Sequence, residues 1–74
     1  MNLGKYKHYL GKEYEVLGLA RHSETLEEFV LYKPLYKDKK FDGCFWVRPK
    51  KMFLEKVKIN GKLVKRFEFL KNKD

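Results

Sequence analysis

The chain has 74 residues, a formal net charge of +8, and 43% hydrophobic and 16% aromatic residues. This length predicts a single small domain, residues 1–74, with a thin core, and this composition excludes a disordered tail. No apolar run approaches the roughly 18 residues that span a membrane, and no charged-then-apolar leader opens the chain, so we expect no membrane association.

Two strands are predicted in the first third of the chain. The segments "KYKHY" (residues 5–9) and "EYEVLGLA" (residues 13–20) are rich in the Tyr and Val residues that favour strands. Between them, Gly11 is free to take the positive φ of a tight turn. Tyr14, Val16, Gly18 and Ala20 alternate with period two, which predicts one buried face.

The middle of the chain combines two further strands with two short turns. Strand residues dominate "FVLYKPLY" (residues 29–36) and "CFWVRP" (residues 44–49). "SETLEEF" has Thr25 and Glu28 at the spacing of a helix-capping box, and Pro49 in "RPKKMFLE" suits a first helical turn. Both segments are too short for a stable helix, so each predicts one helical or 3₁₀ turn.

The C-terminal third predicts a hairpin. Asn60-Gly61 in "KVKINGKLVKRFEF" is the dipeptide best suited to a two-residue hairpin turn. On one face, the turn pairs Ile59 with Lys62, Val57 with Val64, and Glu55 with Arg66; on the other, it pairs Lys58 with Leu63 and Lys56 with Lys65. Directly opposed lysines repel each other, so that face points to water or meets an anion. The parity of Phe67 and Phe69 suggests a bulge after Lys65.

Together, these elements predict an all-β fold. Five short strands with tight turns favour a small five-stranded antiparallel, SH3-like barrel or strongly curled sheet with one short 3₁₀ or helical turn. Closure would also protect the edge strands of so small a sheet.

The tripeptide His22-Ser23-Glu24 raises the question of a catalytic group. In a strand, neighbouring side chains point to opposite faces, so His22 cannot activate Ser23. The glycines of a nucleophile elbow are also missing. The sequence therefore does not favour an enzyme, and it predicts instead a polar hairpin end at which Ser23 and Thr25 bind backbone groups.

Metal and cofactor motifs are missing from the sequence. His8, His22 and Cys44 are the only imidazole and thiol groups, without CxxC or HxxxH spacing. Neither GxxxxGK[ST] nor GxGxxG occurs. We therefore expect no metal and no cofactor, and the lone cysteine suggests a reducing, cytoplasmic setting without disulfides.

Several motifs resemble those of a small, mostly bacterial domain family of unknown function. The matching pattern is Tyr-x-His-x-x-Gly-x-x-Tyr-x-Val from Tyr6, Ala-x-His-Ser-Glu-Thr from Ala20, Val-x-Tyr-x-x-Leu-Tyr from Val30, and Trp-Val-Arg-Pro from Trp46. The resemblance covers residues 4–67 and implies a small β domain of SH3 type, without a known activity. The chain departs from the pattern in "KDKKFDGCF" and at Lys50-Lys51 after the Arg-Pro.

Charge and aromatic content favour a non-catalytic module that binds single-stranded or structured nucleic acid. Residues 33–74 hold fourteen basic and five acidic side chains, whereas residues 1–32 hold four and five; a basic balance favours polyanions. Exposed rings would stack on bases. The lysines expected to contact phosphates are Lys37, Lys39, Lys40, Lys50, Lys51, Lys56, Lys58 and Lys65. A general lysine-rich surface that only maintains solubility is the alternative.

Two other function classes stay open. A small-molecule or enzyme-like pocket for a small anionic ligand would use His8, His22, Glu24 and Arg48, and a protein-docking adaptor would present an aromatic groove. The candidate ligand-binding residues are His8, His22, Ser23, Glu24, Tyr36, Trp46 and Arg48. The guanidinium of Arg48 suits a carboxylate or phosphate, although an internal ion pair with Glu24 or Glu28 would satisfy it equally well.

Overall fold

The computed structural model describes residues 1–36 and 44–72. Seven strands and one short helix occur in this part of the chain. They are β1 (Gly4–His8), β2 (Glu13–Arg21), β3 (Glu28–Pro34), β4 (Trp46–Pro49), α1 (Lys50–Phe53), β5 (Lys56–Ile59), β6 (Lys62–Lys65) and β7 (Phe67–Asn72). Lys37, Lys39 and Lys40 lie outside the described residues.

The strands form two antiparallel sheets, which confirms the all-β fold class. Five strands pair in the order β4-β3-β2-β1-β7, while β5 and β6 form a separate two-stranded ribbon. The expected closure into an SH3-like barrel is not observed: β4 and β7 are the two edges of the larger sheet and do not pair with each other in the described residues. The predicted alternative, a strongly curled five-stranded sheet with one helical turn, describes the larger sheet.

A contact across the sheet shows how strongly it curls. The two edge strands are four strand spacings apart, which is about 19 Å in a flat sheet. Nevertheless, the Cζ atom of Arg48 on β4 lies 5.5 Å from the ring centroid of Phe67 on β7. The inner faces of the edge strands therefore approach each other, and the sheet forms a trough that side chains fill.

The core of this trough is mostly aromatic. Tyr6, Tyr14, Tyr32, Phe53, Phe67, Val16 and Val30 are buried. Phe53 comes from α1, which begins after Pro49 as predicted, and its ring stacks on that of Phe67 with centroids 4.1 Å apart. The short helix thus places one large ring over the inner face of the sheet.

A bulge in β2 changes the expected alternation of side chains. Val16 pairs with Tyr32, but Gly18 pairs with Leu31, so Leu17 is the extra residue between them. An extra residue moves all later side chains to the opposite face. Ala20, which the period-two pattern assigned to the buried face, is accordingly exposed.

The C-terminal hairpin forms in the predicted register. Lys56 pairs with Lys65 and Val57 with Val64, and the turn residues Asn60 and Gly61 both have positive φ, 49° and 79°. Instead of a bulge within one hairpin, the chain breaks at Arg66 and continues as β7, which pairs with β1. The ribbon of β5 and β6 is therefore separated from the larger sheet.

The segment between β2 and β3 forms a turn rather than a helix. The backbone N–H of His22 donates to the carbonyl of Glu27, and the N–H of Leu26 donates to the carbonyl of His22, both at 2.8 Å. Leu26 has a φ of 64°, which a helix does not permit. The only helix in residues 1–36 and 44–72 is α1, so no helix there could cross a membrane.

Candidate ligand-binding site

Four of the seven predicted ligand-binding residues come together on the inner face of the trough. We call this group and its neighbours the Arg48 cluster; its members are His8, Tyr14, Tyr32, Tyr36, Trp46, Arg48 and Phe67. His8, Tyr36, Trp46 and Arg48 are half-buried, whereas the other three rings are buried. The cluster therefore joins the core to the protein surface.

Register explains why these residues meet. Trp46 pairs with Tyr32 and Arg48 with Val30, and alternate residues of a strand share a face. Since Tyr32 and Val30 are buried, Trp46 and Arg48 must also point to the inner face. The curl of the sheet then brings β7, with Phe67, opposite Arg48.

Arg48 is a half-buried cation with few partners. Its Nε atom donates to the hydroxyl of Tyr32 at 3.3 Å, and its guanidinium lies over the ring of Phe67. The ion pair with Glu24 or Glu28 that the sequence left open does not form. The carboxylate of Glu28 instead forms two other ion pairs: Oε2 lies 3.7 Å from Nη2 of Arg21, and Oε1 lies 3.9 Å from Nζ of Lys50. Arg48 thus has no carboxylate partner in the described part of the chain.

The tyrosines of the cluster supply neutral hydroxyl groups. The hydroxyls of Tyr14 and Tyr36 are 3.3 Å apart, and Lys12 lies 4.3 Å from the ring centroid of Tyr36. Burial and the hydrogen bond with Tyr36 raise the pKa of Tyr14, while Arg48 acts in the opposite direction. Tyr14 therefore stays protonated at neutral pH and can donate or accept a hydrogen bond, but it cannot serve as a base.

His8 connects the cluster to the turn after β1. Its Nδ1 atom accepts a hydrogen bond from the N–H of Leu10 at 3.1 Å, and its ring centroid lies 4.9 Å from that of Phe67. Burial and the nearby charges of Arg48 and Arg66 lower its pKa. Because Nδ1 is an acceptor, neutral His8 carries its proton on Nε2 and offers a donor there.

The other three predicted residues lie at the opposite end of the sheet. His22, Ser23 and Glu24 follow the last residues of β2, whereas Tyr14 lies near its start, roughly 25 Å away along the strand. All three are exposed. His22 Nδ1 accepts the N–H groups of Glu24 and Thr25 at 3.1 and 3.2 Å, and Thr25 accepts the N–H of Glu27. The histidine, rather than Ser23, thus organises this turn with Thr25.

The predicted phosphate-binding lysines that the structure describes lie on α1 and on the ribbon of β5 and β6, which we call the basic ribbon. The basic ribbon contains Lys56, Lys58, Lys62 and Lys65 and no acidic residue, and all four lysines are exposed. Lys51 on α1 is also exposed, whereas its neighbour Lys50 pairs with Glu28.

A groove lies between the basic ribbon and the paired ends of β1 and β7. It has a volume of about 400 Å³ and is lined by Lys7, His8, Tyr9, Ile59, Val64, Lys65 and Glu68. His8 belongs to both the groove and the cluster. Lys7 and Glu68, which pair across β1 and β7, place part of this groove on the outer face of the larger sheet.

Metal-binding geometry is not found in the described residues. No three His, Cys, Asp or Glu side chains in residues 1–36 and 44–72 are arranged to hold an ion. The thiol of Cys44 is exposed.

Sequence reasoning did not identify two basic neighbours and one ring of this site. Phe67 and Arg66 approach His8 only because β7 pairs with β1, a contact between residues about sixty positions apart. Lys12 reaches Tyr36 because the end of β3 lies beside the start of β2, where the N–H of Leu35 donates to the carbonyl of Glu13. No local pattern signals these contacts; the parity of Phe67 and Phe69 indicated a bulge after Lys65 and not a further strand that pairs with β1.

The fold and site define a small all-β domain with an open, curled sheet and a basic, aromatic inner end. The chain belongs to the family described as "Protein of unknown function (DUF1653)", whose model matches residues 4–69. A similar solved structure is that of a DUF1653 protein from Bordetella bronchiseptica, with 32% sequence identity and a TM-score of 0.86. The match covers 100% of this chain and 92% of that one. A comparison with curated proteins gave no match.

Proposed function

We propose that this protein is a non-catalytic module that binds nucleic acid, with single-stranded or structured RNA or DNA as its target. In this proposal, the lysines of α1 and the basic ribbon contact phosphates, and half-buried Tyr36 and Trp46 stack on unpaired bases. Phosphate contacts supply affinity without sequence preference, and stacking favours unpaired bases because these expose their faces.

One observation carries the proposal: within the described residues, the lysines of the basic ribbon form no ion pair with a carboxylate. Lys56 and Lys65 are paired directly across the two strands, an arrangement that destabilises a hairpin through repulsion. Five ion pairs occur among the described residues, and none of them includes Lys51, Lys56, Lys58, Lys62 or Lys65. A polyanion would relieve this repulsion.

The test compares two variants with equal loss of charge. Lys56, Lys58 and Lys65 are changed to Gln in one variant; in the control, Lys5, Lys33 and Lys71 of the larger sheet are changed to Gln. We expect the ribbon variant to bind a fluorescent single-stranded oligonucleotide at least about tenfold more weakly at low salt, because three phosphate contacts are lost. The control should change affinity less than about threefold.

Two results would count against the proposal. Equal weakening by both variants would mean that only net charge matters. An anisotropy signal that does not change with RNA or DNA at low salt would exclude nucleic acid as the partner. The small-molecule alternative, with His8, His22, Glu24 and Arg48 as one site, has less support, because the turn of His22 and Glu24 lies at the far end of the sheet.

A further inference from the structure

We propose that the Arg48 cluster is by itself a binding site for a small planar anion, a ligand that combines one aromatic ring with one phosphate or carboxylate group. This inference rests on Arg48 and its neighbouring rings and does not require the basic ribbon. It therefore goes beyond the proposed binding of nucleic acid and can be tested separately.

The charge of Arg48 favours an anionic ligand. Its side chain is half-buried against Phe67. Its Nε donates a hydrogen bond to the hydroxyl of Tyr32. Burying a cation is unfavourable unless an anion or several acceptors compensate it. A guanidinium has five N–H donors, and among residues 1–36 and 44–72 one of those on Arg48 has a hydrogen-bond acceptor. Its planar fork matches the two oxygens of a carboxylate or phosphate.

A second guanidinium, that of Arg66, also lies near His8. Arg66 directly precedes Phe67, and both Arg48 and Arg66 are close enough to His8 to lower its pKa. The nitrogens of Arg66 differ in their partners: Nη2 donates to Oε1 of Glu55 at 2.9 Å, whereas the buried Nε has no acceptor within the described structure. The region around His8 is thus rich in positive charge and in donors.

The half-buried rings of Trp46 and Tyr36 form an aromatic surface in the Arg48 cluster. The ring centroid of Trp46 lies 5.9 Å from that of Tyr14 and 6.0 Å from that of Tyr32, and the ring of Tyr36 lies 5.7 Å from Tyr14. Trp and Tyr rings that are partly exposed above a packed core suit the face or edge of a planar ligand. A ring and an anionic group on one small molecule would engage both features.

The experiment uses the fluorescence of Trp46, the only tryptophan of the chain, as a probe within the site. Four ligands separate the two features: adenosine 5′-monophosphate and benzoate carry both a ring and an anionic group, adenosine carries only the ring, and inorganic phosphate only the anion. We expect both ring-bearing anions to change Trp46 emission and to raise the melting temperature. Adenosine and phosphate should each bind at least about tenfold more weakly.

Variants assign the effect to Arg48. Arg48→Met should reduce the affinity for the ring-bearing anions by about tenfold or more, and Arg48→Lys by less, because a lysine keeps the charge but loses the fork. Arg21→Met, at the far end of the sheet, is the matched control and should bind as the wild type does. If Arg48→Met does not fold, Arg48→Lys and the four ligands still decide the question.

The inference is overturned if Arg48→Met or Arg48→Lys binds as tightly as the wild type, if phosphate alone binds as tightly as the ring-bearing anions, or if neither of these anions changes Trp46 emission. The variant with Gln at positions 56, 58 and 65 separates the two proposals. It should bind the mononucleotide with wild-type affinity even though it binds the oligonucleotide more weakly. Binding of the oligonucleotide without the mononucleotide would overturn only the present inference.

Discussion

At the scale of single residues, both histidines serve the backbone. Nδ1 of His8 accepts the N–H of Leu10, and Nδ1 of His22 accepts the N–H groups of Glu24 and Thr25. In each case, the imidazole satisfies donors at a turn, where backbone groups have no strand partner. The sequence indicated that the His-Ser-Glu tripeptide is a polar hairpin end with backbone hydrogen bonds to Ser23 and Thr25. The hydroxyl of Thr25 does accept the N–H of Glu27, but the other two donors bind the imidazole of His22 and not Ser23.

The role of His22 predicts a difference between neighbouring substitutions. His22→Ala should lower the free energy of unfolding by about 1 kcal/mol, because two backbone donors lose their acceptor. His22→Asn should recover part of this loss by supplying an oxygen acceptor. Urea unfolding measures the effect, and Ser23→Ala is the control. A larger loss from Ser23→Ala than from His22→Ala would contradict this assignment.

His8 predicts a pH dependence of stability. Because burial, Arg48 and Arg66 lower the pKa of His8 in the folded state, the unfolded chain takes up its proton first as the pH falls below the usual value of about 6.5. Its contribution to stability is therefore full above about pH 6.5 and is lost as the pH falls through the folded pKa. Urea unfolding should show a smaller loss between neutral and acidic pH for His8→Asn than for the wild type.

An NMR titration gives the control for this prediction. The ring protons of His8 should titrate with a midpoint below about 6.5 in the wild type and closer to that value in Arg48→Met, since one repelling charge is removed. A His8 midpoint at or above about 6.5 in the wild type would contradict the charge environment described for the Arg48 cluster.

At the scale of elements, local turn chemistry was predictable and long-range pairing was not. Asn60-Gly61 fixed the register of the ribbon, and Gly11, with a φ of 108°, formed the first turn as expected. By contrast, the extra residue Leu17 and the break at Arg66 depend on how strands meet across the sheet.

Strand parity places His8, Trp46 and Arg48 on the inner face, whereas Tyr36 follows the end of β3 and reaches the cluster through its contact with Tyr14. The turn at His22 lies too far along the sheet to join them.

The turn of the basic ribbon predicts that alanine substitutions at Gly61 and Gly18 have different effects on stability. Gly61→Ala should destabilise the ribbon by about 1–2 kcal/mol, because Gly61 has a φ of 79° that a side chain disfavours. Gly18→Ala should change stability little, since its φ lies outside the left-handed region and nothing lies within 4 Å of the added carbon. Hydrogen exchange measures both effects. Faster exchange throughout the larger sheet in Gly61→Ala would contradict the separation of the two sheets.

The packing of helix α1 predicts that substitution of Phe53 causes the largest loss of stability among the changes considered. Phe53 is 1% exposed and contacts the rings of Phe67, Tyr6 and Tyr32. Phe53→Ala should therefore cost about 3–5 kcal/mol, a large part of the stability of a domain this small. Thermal unfolding followed by circular dichroism measures it, with Met52→Ala as the control on the exposed side of α1. A loss of less than about 1.5 kcal/mol would contradict the packing described for Phe53.

At the scale of the whole molecule, the order of strand and turn segments predicted the fold class but not the distribution of charge in space. The curl of the sheet brings both edge strands to one trough, and the chain from α1 to Arg66 places seven basic side chains and one acidic side chain beside it. Closure into a barrel was expected because it would protect the edges of so small a sheet; in the described residues β7 pairs with β1, and β4 and β7 are the two edges. The resulting surface combines uncompensated lysines with half-buried rings.

The most direct test of the central claim is the salt dependence of oligonucleotide binding. If the basic ribbon and α1 neutralise about four phosphates, the logarithm of affinity should fall with the logarithm of salt concentration at a slope of about −3. Affinity would then drop roughly 60-fold between about 50 and 200 mM salt, and the variant with Gln at positions 56, 58 and 65 should show a shallower slope. A wild-type slope near zero, or the same slope in that variant, would contradict the claim that these lysines bind nucleic acid.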